Sequence, residues 1–368
     1  MMMAAAVMVP RALGLLELNE GRDKVAISAS YGITYDSNLY AHAGSEGDTT
    51  QSLTLATDYN RRAGLISVNA SVSVTSARFA KFSNQDYTNP SVSLEFDKTK
   101  GRLTGAFTLS GQRESRSDEA ANLFANSWYY TSALRLRYPI NDRYYLTSLS
   151  DFSLRDYQQN NVLFDLSSFA EAVDVFYVYT SKLDLQGGYR VRFGSARGGT
   201  NTQDSAVTVG ATGGLLPKLN GSLRLGYQWR TETGTGGGRY GSLTSNLSLG
   251  WPLTKRITFN FQASKDFMTA ATDVSVDSTG SELSASIKPN ARLKFVFTTG
   301  VGYNDSQYLG IRGAGRRDHA LLFNANLSVP IKTHFSASIS YEYSNNDSNV
   351  AYSVYGRHTA SFNLSAHY

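Results

Sequence analysis

Five of the seven prolines recur at a nearly regular spacing, and each follows a run in which apolar and polar residues alternate. They are Pro139, Pro217, Pro252, Pro289 and Pro330. The spacing is roughly 35–40 residues, with one double interval between Pro139 and Pro217 whose middle turn, 180–183, lacks proline. Proline has no backbone N–H and a fixed φ, so it suits a tight turn and not the interior of a sheet. The spacing therefore predicts repeated units of strand, loop, strand and tight turn.

The alternation itself is typical of β-strands. In the run 256–265, Ile257 and Phe259 share one face, and Thr258 and Asn260 share the other. A period of two residues places successive side chains on opposite faces of a sheet. We predict eighteen such strands, at 24–35, 49–60, 65–76, 87–97, 102–112, 127–138, 143–155, 167–180, 182–193, 203–215, 221–231, 240–251, 256–267, 274–287, 291–303, 318–329, 334–344 and 353–368.

Short and long connections alternate along this series of strands. Eight tight turns join strand 2 to 3, 4 to 5 and so on to 16 and 17, and nine longer polar loops join the rest. An even strand count with both termini at the short-turn end is typical of an outer-membrane barrel. We therefore predict an all-β fold: a single transmembrane antiparallel up-and-down β-barrel of about eighteen strands at residues 24–368, with short periplasmic turns and longer extracellular loops. Residues 1–23 are predicted to be a residual signal peptide or N-terminal extension.

The membrane prediction depends on backbone hydrogen bonds. In hydrocarbon every N–H and C=O needs a partner within the protein, and only helices and closed sheets provide one. No stretch of the sequence approaches the roughly 20 continuous apolar residues of a transmembrane helix. Aromatic residues fit girdles at two membrane interfaces: near the tight turns Tyr138, Tyr144, Trp251, Phe335 and Tyr368, and near the long loops Tyr31, Trp128, Tyr130, Tyr177, Trp229, Tyr303 and Tyr343. An array of soluble β-sandwiches is a distant alternative.

Composition excludes several kinds of chemistry. Cysteine is absent, so disulfides, thiolate metal ligands and cysteine nucleophiles are excluded. The net charge of +5 is small and no Lys/Arg-rich run is present, so we expect no nucleic-acid partner. None of the five histidines has the spacing of a zinc-binding His-Glu-x-x-His motif. His358 among many serines leaves open a lipase-like Ser–His pair, but we expect no enzyme, no metal site and no cofactor.

The first predicted strand runs into a short motif. It consists of Tyr35, Asp36, Asn38, Leu39 and Tyr40. An alternating strand that leads into Tyr-Asp-x-Asn and two bulky residues resembles the opening of the putative β-barrel porin 2 family. The resemblance implies a channel in the bacterial outer membrane, without catalytic residues. Some relatives in that family are associated with the export of extracellular polysaccharide.

If the apolar strand faces meet lipid, the polar faces line the lumen, and a barrel of this size leaves an aqueous channel. The pore-lining candidates are charged residues of the polar faces: Arg135, Arg137, Arg155, Arg190, Arg192, Arg224, Arg230, Arg292, Lys294, Asp151, Asp184 and Glu342. A net basic lining would favour anions. The alternative is that these charges only pair with one another and stabilise the wall. Two loops, Asp36 to Asp48 and Glu114 to Ala125, are the candidates for folding into the lumen.

These features favour an outer-membrane porin-like channel for passive diffusion of small hydrophilic, and in particular anionic, solutes. The alternative is a conduit that exports an extracellular polysaccharide with a periplasmic partner, for which Tyr129, Tyr145 and Phe176 would be stacking platforms in the bore. A non-conducting structural or adhesive barrel is a third hypothesis. The predicted partners are outer-membrane lipid and lipopolysaccharide, and the barrel-assembly machinery through the C-terminal strand that ends at Tyr368.

Overall fold

The structure, a computed structural model, describes residues 16–19, 22–158, 162–234, 237–289 and 294–367. Most of these residues lie in antiparallel strands. The strands are β1 (Leu16–Leu18), β2 (Asp23–Asp36), β3 (Asp48–Ala63), β4 (Ile66–Phe79), β5 (Tyr87–Lys98), β6 (Thr104–Asp118), β7 (Leu123–Pro139), β8 (Tyr144–Gln158), β9 (Leu166–Thr180), β10 (Leu183–Ala196), β11 (Asn201–Leu216), β12 (Leu219–Thr233), β13 (Arg239–Pro252), β14 (Ile257–Ala270), β15 (Val274–Ile287), β16 (Val296–Tyr308), β17 (Arg317–Lys332), β18 (Phe335–Ser348) and β19 (Tyr355–His367).

In the part of the chain that the structure describes, helical structure consists of single turns within the connections. These are a 3₁₀ turn at Ser83–Gln85, the α-helical turn α1 at Gly310–Gly313 and a 3₁₀ turn at Ala351–Ser353. Among the described residues, no helix is long and apolar enough to cross a membrane.

Strands β2–β19 form one closed sheet, in which each strand pairs antiparallel with its neighbours in the chain. The ring closes where β19 pairs with β2, from Thr359↔Asp36 to His367↔Ser28. The short strand β1 pairs with residues 23–25 of β2, beyond the point where β19 ends, and so extends the same edge. The predicted fold class, a closed antiparallel barrel of 18 strands, is confirmed.

Each predicted strand corresponds to one strand of the barrel, but several extend further at the loop end. Strand β6 was expected to end at residue 112 and continues to Asp118, and β7 begins at Leu123. The predicted loop from Glu114 to Ala125 is therefore wrong in extent, since only residues 119–122 connect these strands. The contrast between short turns and long loops is also weaker than predicted. At the loop end only 271–273 join β14 to β15, whereas 288–295 join β15 to β16 at the turn end.

Two other predictions are wrong in detail. Pro330, predicted in a tight turn, lies inside β17, opposite Ser336, where the ladder to β18 shifts register. A proline fits there because an irregular ladder does not need its N–H.

Tyr177, predicted near the long loops, lies near the tight-turn end of β9, and its ring centroid is 5.1 Å from that of Tyr144. The expectations for Arg292 and Tyr368 concern residues outside the described ranges.

The two faces of the wall differ as the alternation predicts. Along β12, Leu225, Tyr227 and Trp229 point outward and are exposed. The residues between them, such as Arg224 and Gln228, point into the lumen, where they hydrogen bond to other inward side chains. Large apolar residues are exposed in the same way on strands all around the ring. A continuous outward apolar surface is typical of a lipid-facing belt, since in water it would drive association.

Two hairpins leave the wall at their loop ends and fold into the lumen. The first consists of residues 113–126, the upper ends of β6 and β7. The ladder between β5 and β6 stops at Ser91↔Gln112, so this hairpin is not paired with β5. Phe124 belongs to the outward face of β7 by alternation, yet its ring centroid is 5.9 Å from that of the buried Phe79 on the inner side of β4. The outer face of this hairpin thus lies on the inner surface of the wall.

The second inner hairpin consists of residues 266–275, the upper ends of β14 and β15, and its β15 arm continues a strand that stays paired with β16 up to Val276↔Tyr308. The ladder between β13 and β14 stops at Ser245↔Lys265, and residues 239–244 of β13 pair only with β12. In the described wall this ladder and the one between β5 and β6 are the shortest, with eight residue pairs each. By strand alternation Phe267 lies on the same face as the outward residues of the lower part of β14, yet it is 1% exposed. The barrel therefore has two seams where hairpin and wall overlap instead of meeting edge to edge.

The outward belt makes a testable prediction on β4, where Val72 points outward and Ser73 points into the lumen. The substitution Val72→Arg places a charge in hydrocarbon and should lower the free energy of unfolding by about 2–4 kcal/mol. The neighbouring Ser73→Arg adds the same charge to an aqueous face and should change it by less than about 1 kcal/mol. Urea titration of the barrel refolded into lipid vesicles measures both values. Equal losses for the two variants would contradict the assignment of the faces.

Candidate pore and constriction

The tips of the two inner hairpins meet across the lumen. Ala125 of the first hairpin and Ala271 of the second form a buried apolar cluster with Leu163, which lies between β8 and β9. The amide of Phe164 donates a hydrogen bond of 2.8 Å to the carbonyl of Ala271. The tip of the hairpin that starts at β14 therefore contacts the first inner hairpin and the connection between β8 and β9. Because both hairpins lie inside the lumen, this contact narrows the passage, and we call it the constriction.

Loops cover the constriction on the extracellular side. The side chains of Ser117 and Asn122 donate to the carbonyls of Leu39 and Ala41. The two segments that the sequence put forward for inward folding, Asp36 to Asp48 and Glu114 to Ala125, thus contact each other. From the other side Arg316 donates to the carbonyl of Ala120 at 2.8 Å. Burial alone would lower the pKa of Arg316, but its hydrogen bonds to Asp318 keep that pKa above its ordinary value, so the bridge is cationic.

A vestibule of about 530 Å³ remains above the hairpin tips. Its lining mixes small, apolar, aromatic and charged residues from several loops and strand ends: Ala120, Phe164, Gly198, Gly199, Thr272, Asp273, Val274, Tyr308, Arg312, Gly313, Ala314, Arg316, Val350 and Tyr352. Gly199 is required by a close approach, since a Cβ there would lie 2.5 Å from a carboxylate oxygen of Asp273. The amide of Thr200 donates to the same carboxylate at 3.0 Å. The tip of the second hairpin is therefore held to the loop between β10 and β11.

An arginine cluster holds the second hairpin against the wall. The cluster consists of Arg190, Arg192 and Arg230, which point inward from β10 and β12. The Asp266 carboxylate of the hairpin accepts from Arg190 at 2.8 and 3.0 Å and from Arg192 at 3.1 and 3.4 Å. Both guanidinium groups thus face both carboxylate oxygens, an arrangement that is strong and directional.

The wall carries its own carboxylate in this cluster. Asp204 on β11 is 1% exposed and accepts from Arg230 at 2.6 and 2.8 Å and from Arg192 at 2.8 Å. Arg230, 2% exposed, also donates to the carbonyl of Met268 at 2.8 Å, and its guanidinium lies 5.3 Å from the ring centroid of Phe267. Two carboxylates and three guanidinium groups therefore form one network between hairpin and wall, buried at Asp204 and Arg230 and partly exposed at Arg190 and Asp266. Arg192 and Arg230 are covered by the hairpin and do not line open bore.

Other predicted pore-lining residues make separate pairs on the same side of the barrel. Arg155 donates to Glu114 of the first hairpin at 2.6 Å. Arg224 donates to Asp174 at 2.9 Å. Asp184 accepts from the Tyr145 hydroxyl at 2.7 Å. The remaining candidates of this group, Arg135, Arg137 and Asp151, point inward from β7 and β8.

Two candidates lie elsewhere. Glu342 points into the lumen from β18, between Asn324 and Thr359, and so faces the arginine-rich side from the opposite wall. Lys294 lies exposed in the connection between β15 and β16, not on the inner face of a strand. Around Glu342, the inward residues of β16–β19 and β2–β5 are mostly serine, threonine, asparagine and glycine. The lumen thus has an arginine-rich side and a largely uncharged polar side whose charges are mostly carboxylates, among them Asp58, Glu95 and Glu342.

Sequence reasoning missed Asp204, Asp266 and Glu114 as site residues. Asp204 has the inward parity of β11, so strand alternation alone could have identified it. Asp266 also has inward parity on β14, but nothing local to the sequence indicates that its strand leaves the wall. Among the described residues, no group of three histidine, aspartate or glutamate side chains is placed to hold a metal ion.

Comparison with known proteins agrees with this architecture. The model of the putative beta-barrel porin 2 family matches residues 188–368, and this confirms the resemblance first suggested by the opening strand. No curated protein matches the chain. The fold is similar to OccAB3 of Acinetobacter baumannii, with 10% identity, a TM-score of 0.52 and coverage of 94% of this chain and 99% of that one. It is similar to OccK2 (OpdF) of Pseudomonas aeruginosa in complex with glucuronate, with 11% identity, a TM-score of 0.53 and coverage of 94% and 97%.

The buried network predicts an unequal response to charge removal. Asp204→Ala leaves the buried Arg230 without its carboxylate partner and should lower the free energy of unfolding by about 3–5 kcal/mol. The control is Arg197→Ala, which breaks a pair with Asp165 at 3.6 Å in which the arginine side chain is 84% exposed. That loss should be below about 1 kcal/mol. Urea titration in vesicles measures both, and similar values would show that the network does not hold the hairpin.

Proposed function

We propose that this barrel of the bacterial outer membrane, whose residues 188–368 match the model of the putative beta-barrel porin 2 family, is a channel for passive diffusion of small hydrophilic, preferentially anionic, solutes. One observation carries the proposal. The seven pore-lining arginine candidates within the described residues all point inward from the adjoining strands β7–β12, and all except Arg192 and Arg230, which the second hairpin covers, belong to the open lining. Fixed cations concentrated on one side of an aqueous bore attract anions and orient them across it.

The opposite wall supports the same mechanism. It offers hydroxyl and amide groups with a few carboxylates, among them Glu342. Polar uncharged groups can replace part of the hydration shell of a solute without holding it tightly, as a passive channel requires. A charged group on the solute would follow the arginine side while the rest of the molecule contacts the polar side. Selectivity then comes from the lining and needs no moving cofactor or energy source.

The inward aromatic residues favour diffusion over polysaccharide export. Tyr145 stacks on Phe176, with 4.6 Å between centroids and 7° between planes, and the guanidinium of Arg137 lies 3.9 Å from the Tyr145 ring centroid. Tyr129 has the guanidinium of Arg155 at 4.4 Å from its ring centroid. A sugar ring needs an open aromatic face to stack on. Here Tyr145 has both Phe176 and Arg137 against its ring, and Tyr129 has Arg155 against its ring, so these aromatic residues extend the cationic lining.

A relative of similar fold makes the anionic class more specific. OccK2 was crystallised in complex with glucuronate, a sugar carboxylate. We extend that chemistry to this chain only as part of the proposal, because the arginine side of the lumen suits a carboxylate. The partners belong to the proposal as well: lipopolysaccharide around the belt, and the assembly machinery acting on β19, which closes the ring against β2. A periplasmic partner would be needed only by the export alternative.

Solute permeation into vesicles tests the charge preference. Gluconate, arabinose and glucosamine are small sugar derivatives that carry a negative, zero and positive charge. The account predicts that gluconate enters vesicles containing the barrel faster than glucosamine, by roughly threefold or more. The double substitution Arg135→Gln/Arg137→Gln should reduce this ratio. Arg143→Gln, in the exposed connection 140–143, removes the same kind of charge outside the bore and should leave the ratio unchanged. A preference for glucosamine would overturn the proposal.

An uncharged oligosaccharide separates the diffusion channel from the export conduit. With the aromatic faces covered by Arg137 and Arg155, maltohexaose should not reduce the ion current through single barrels. Tyr145→Ala should likewise leave that current insensitive to maltohexaose. A reversible block that disappears in Tyr145→Ala would instead establish a sugar-binding bore and favour export. Absence of any permeation in every variant would favour a structural barrel.

A further inference from the structure

The carboxylate of Asp266 has the position that a solute carboxylate would take in the arginine cluster. It comes from a hairpin that has left the wall, and it receives four hydrogen bonds of 2.8–3.4 Å from Arg190 and Arg192. Asp204 separately neutralises Arg192 and Arg230 from the wall itself. Removing the hairpin would therefore leave Arg190 and one side of Arg192 facing the lumen. This is a preformed site for one carboxylate group.

The wall retains a vacant place for the hairpin. Residues 239–244 of β13 and 266–270 of β14 each have a strand neighbour on one side only. Continuing the existing register one residue at a time beyond Ser245↔Lys265 would pair Leu243 with Phe267. Both would then face outward, in line with the outward apolar residues below them. A strand edge left unpaired at the membrane wall is unfavourable, so re-formation of this ladder offsets the loss of the inner contacts.

When the hairpin lies inside the lumen, some buried polar atoms lack hydrogen-bond partners among the described residues. Gln228 is fully buried beneath the hairpin, and its Nε2 has no hydrogen-bond partner among the described residues. Where the hairpin overlaps β13, Asp277 Oδ1 also has no hydrogen-bond partner within the described chain. The other oxygen, Asp277 Oδ2, accepts a hydrogen bond from Ser242 at 2.7 Å. Buried polar atoms without partners destabilise the arrangement that contains them. The hairpin therefore has two possible positions. The inner one leaves strand edges and buried polar atoms unpaired, and the one in the wall loses the contacts with Arg190 and Arg192. Such a balance is what a bistable element requires.

We propose that Arg190 and Arg192 form the binding site for the carboxylate of the transported solute and that Asp266 occupies this site as an internal competitor. A solute that displaces Asp266 then returns the β14 arm of the 266–275 hairpin to the wall beside β13, while β15 stays paired with β16. The proposal rests on the function proposed above, since it specifies where an anionic solute binds. It adds that the solute opens its own path: the site is free only when the hairpin lies in the wall, so carboxylate binding favours that state.

Paired cysteines can report the two positions, because the chain has no native cysteine. Ser242→Cys/Asp277→Cys joins side chains that touch only when the hairpin is inside, at 2.7 Å between their oxygens. Leu243→Cys/Phe267→Cys joins positions that face each other only when the ladder re-forms. Leu247→Cys/Ala263→Cys is the matched control, since this pair is already opposite in the ladder. Leu247 and Ala263 are each four residues from Leu243 and Phe267 along their strands. Because hydrogen-bonded and non-hydrogen-bonded pairs alternate in an antiparallel ladder, an even separation gives both pairs the same geometry.

Succinate is the probe, added to the refolded barrel at constant ionic strength. The yield of the Leu243→Cys/Phe267→Cys disulfide should rise with succinate by roughly fivefold or more, the lower end of typical coupling factors. The control disulfide should form equally with and without succinate. Asp266→Asn, added to the reporter pair, should give the high yield without succinate. Asp58→Asn, which removes another inward carboxylate on β3, should not.

Conductance then links the two positions to transport. Oxidised Ser242→Cys/Asp277→Cys should be closed and should reopen on reduction, while oxidised Leu243→Cys/Phe267→Cys should stay open. The proposal is overturned if the control pair cross-links and the reporter pair does not at any succinate concentration. It is also overturned if the barrel conducts equally with the first pair oxidised or reduced. If the oxidised Leu243→Cys/Phe267→Cys barrel stays open but shows no preference for anions, the hairpin does move. The carboxylate site and the anion selectivity would then be refuted.

Discussion

Backbone hydrogen bonding in hydrocarbon is the constraint on which this structure depends. A strand that crosses a membrane must be paired on both sides, and the only sheet in which every strand satisfies this condition is a closed one. The last strand therefore has to meet the first, as β19 meets β2 here. The alternation of the sequence, the outward belt and the polar lumen all follow from that closure, because a closed sheet has one face toward lipid and one toward water.

The same constraint makes the two places where strand pairing stops early energetically important. Between β5 and β6 and between β13 and β14 the ladder ends after eight pairs, and in each case a hairpin turns inward. At the second seam the turned hairpin brings Asp266 into contact with Arg190 and Arg192. Ion pairs that are shielded from water are strong only when each charge is matched and hydrogen bonded. Lost ladder bonds and gained ionic contacts are thus the two opposing terms at this seam.

Much of the fold could be predicted from the sequence, because alternation and turn spacing are local properties. The run from Ile257 to Ala263 identifies a strand and its outward face without any knowledge of its neighbours. The strand count and the inward direction of Arg190, Arg224 and Glu342 follow from the same pattern. Loop-end boundaries were less accurate, since the strands continue into hairpins whose polar residues resemble those of loops.

The constriction could not be predicted in this way. Phe267 continues the apolar alternation of β14, so the sequence places it in the membrane, whereas it is buried inside the barrel beside Arg230. The reason is a contact between residues far apart in the chain: Arg190 and Asp266 are separated by 76 positions. Single-sequence patterns describe which face a residue occupies on its own strand. They contain no information on whether that strand stays in the wall.

Single-channel recording of the unmodified barrel in a planar bilayer, with a gradient of potassium chloride across it, tests the central claim most directly. The account predicts discrete openings with a reversal potential of the sign given by anion selectivity, since seven arginine side chains point inward from β7–β12. A reversal potential of the opposite sign, or a barrel that never conducts under any voltage, would contradict it.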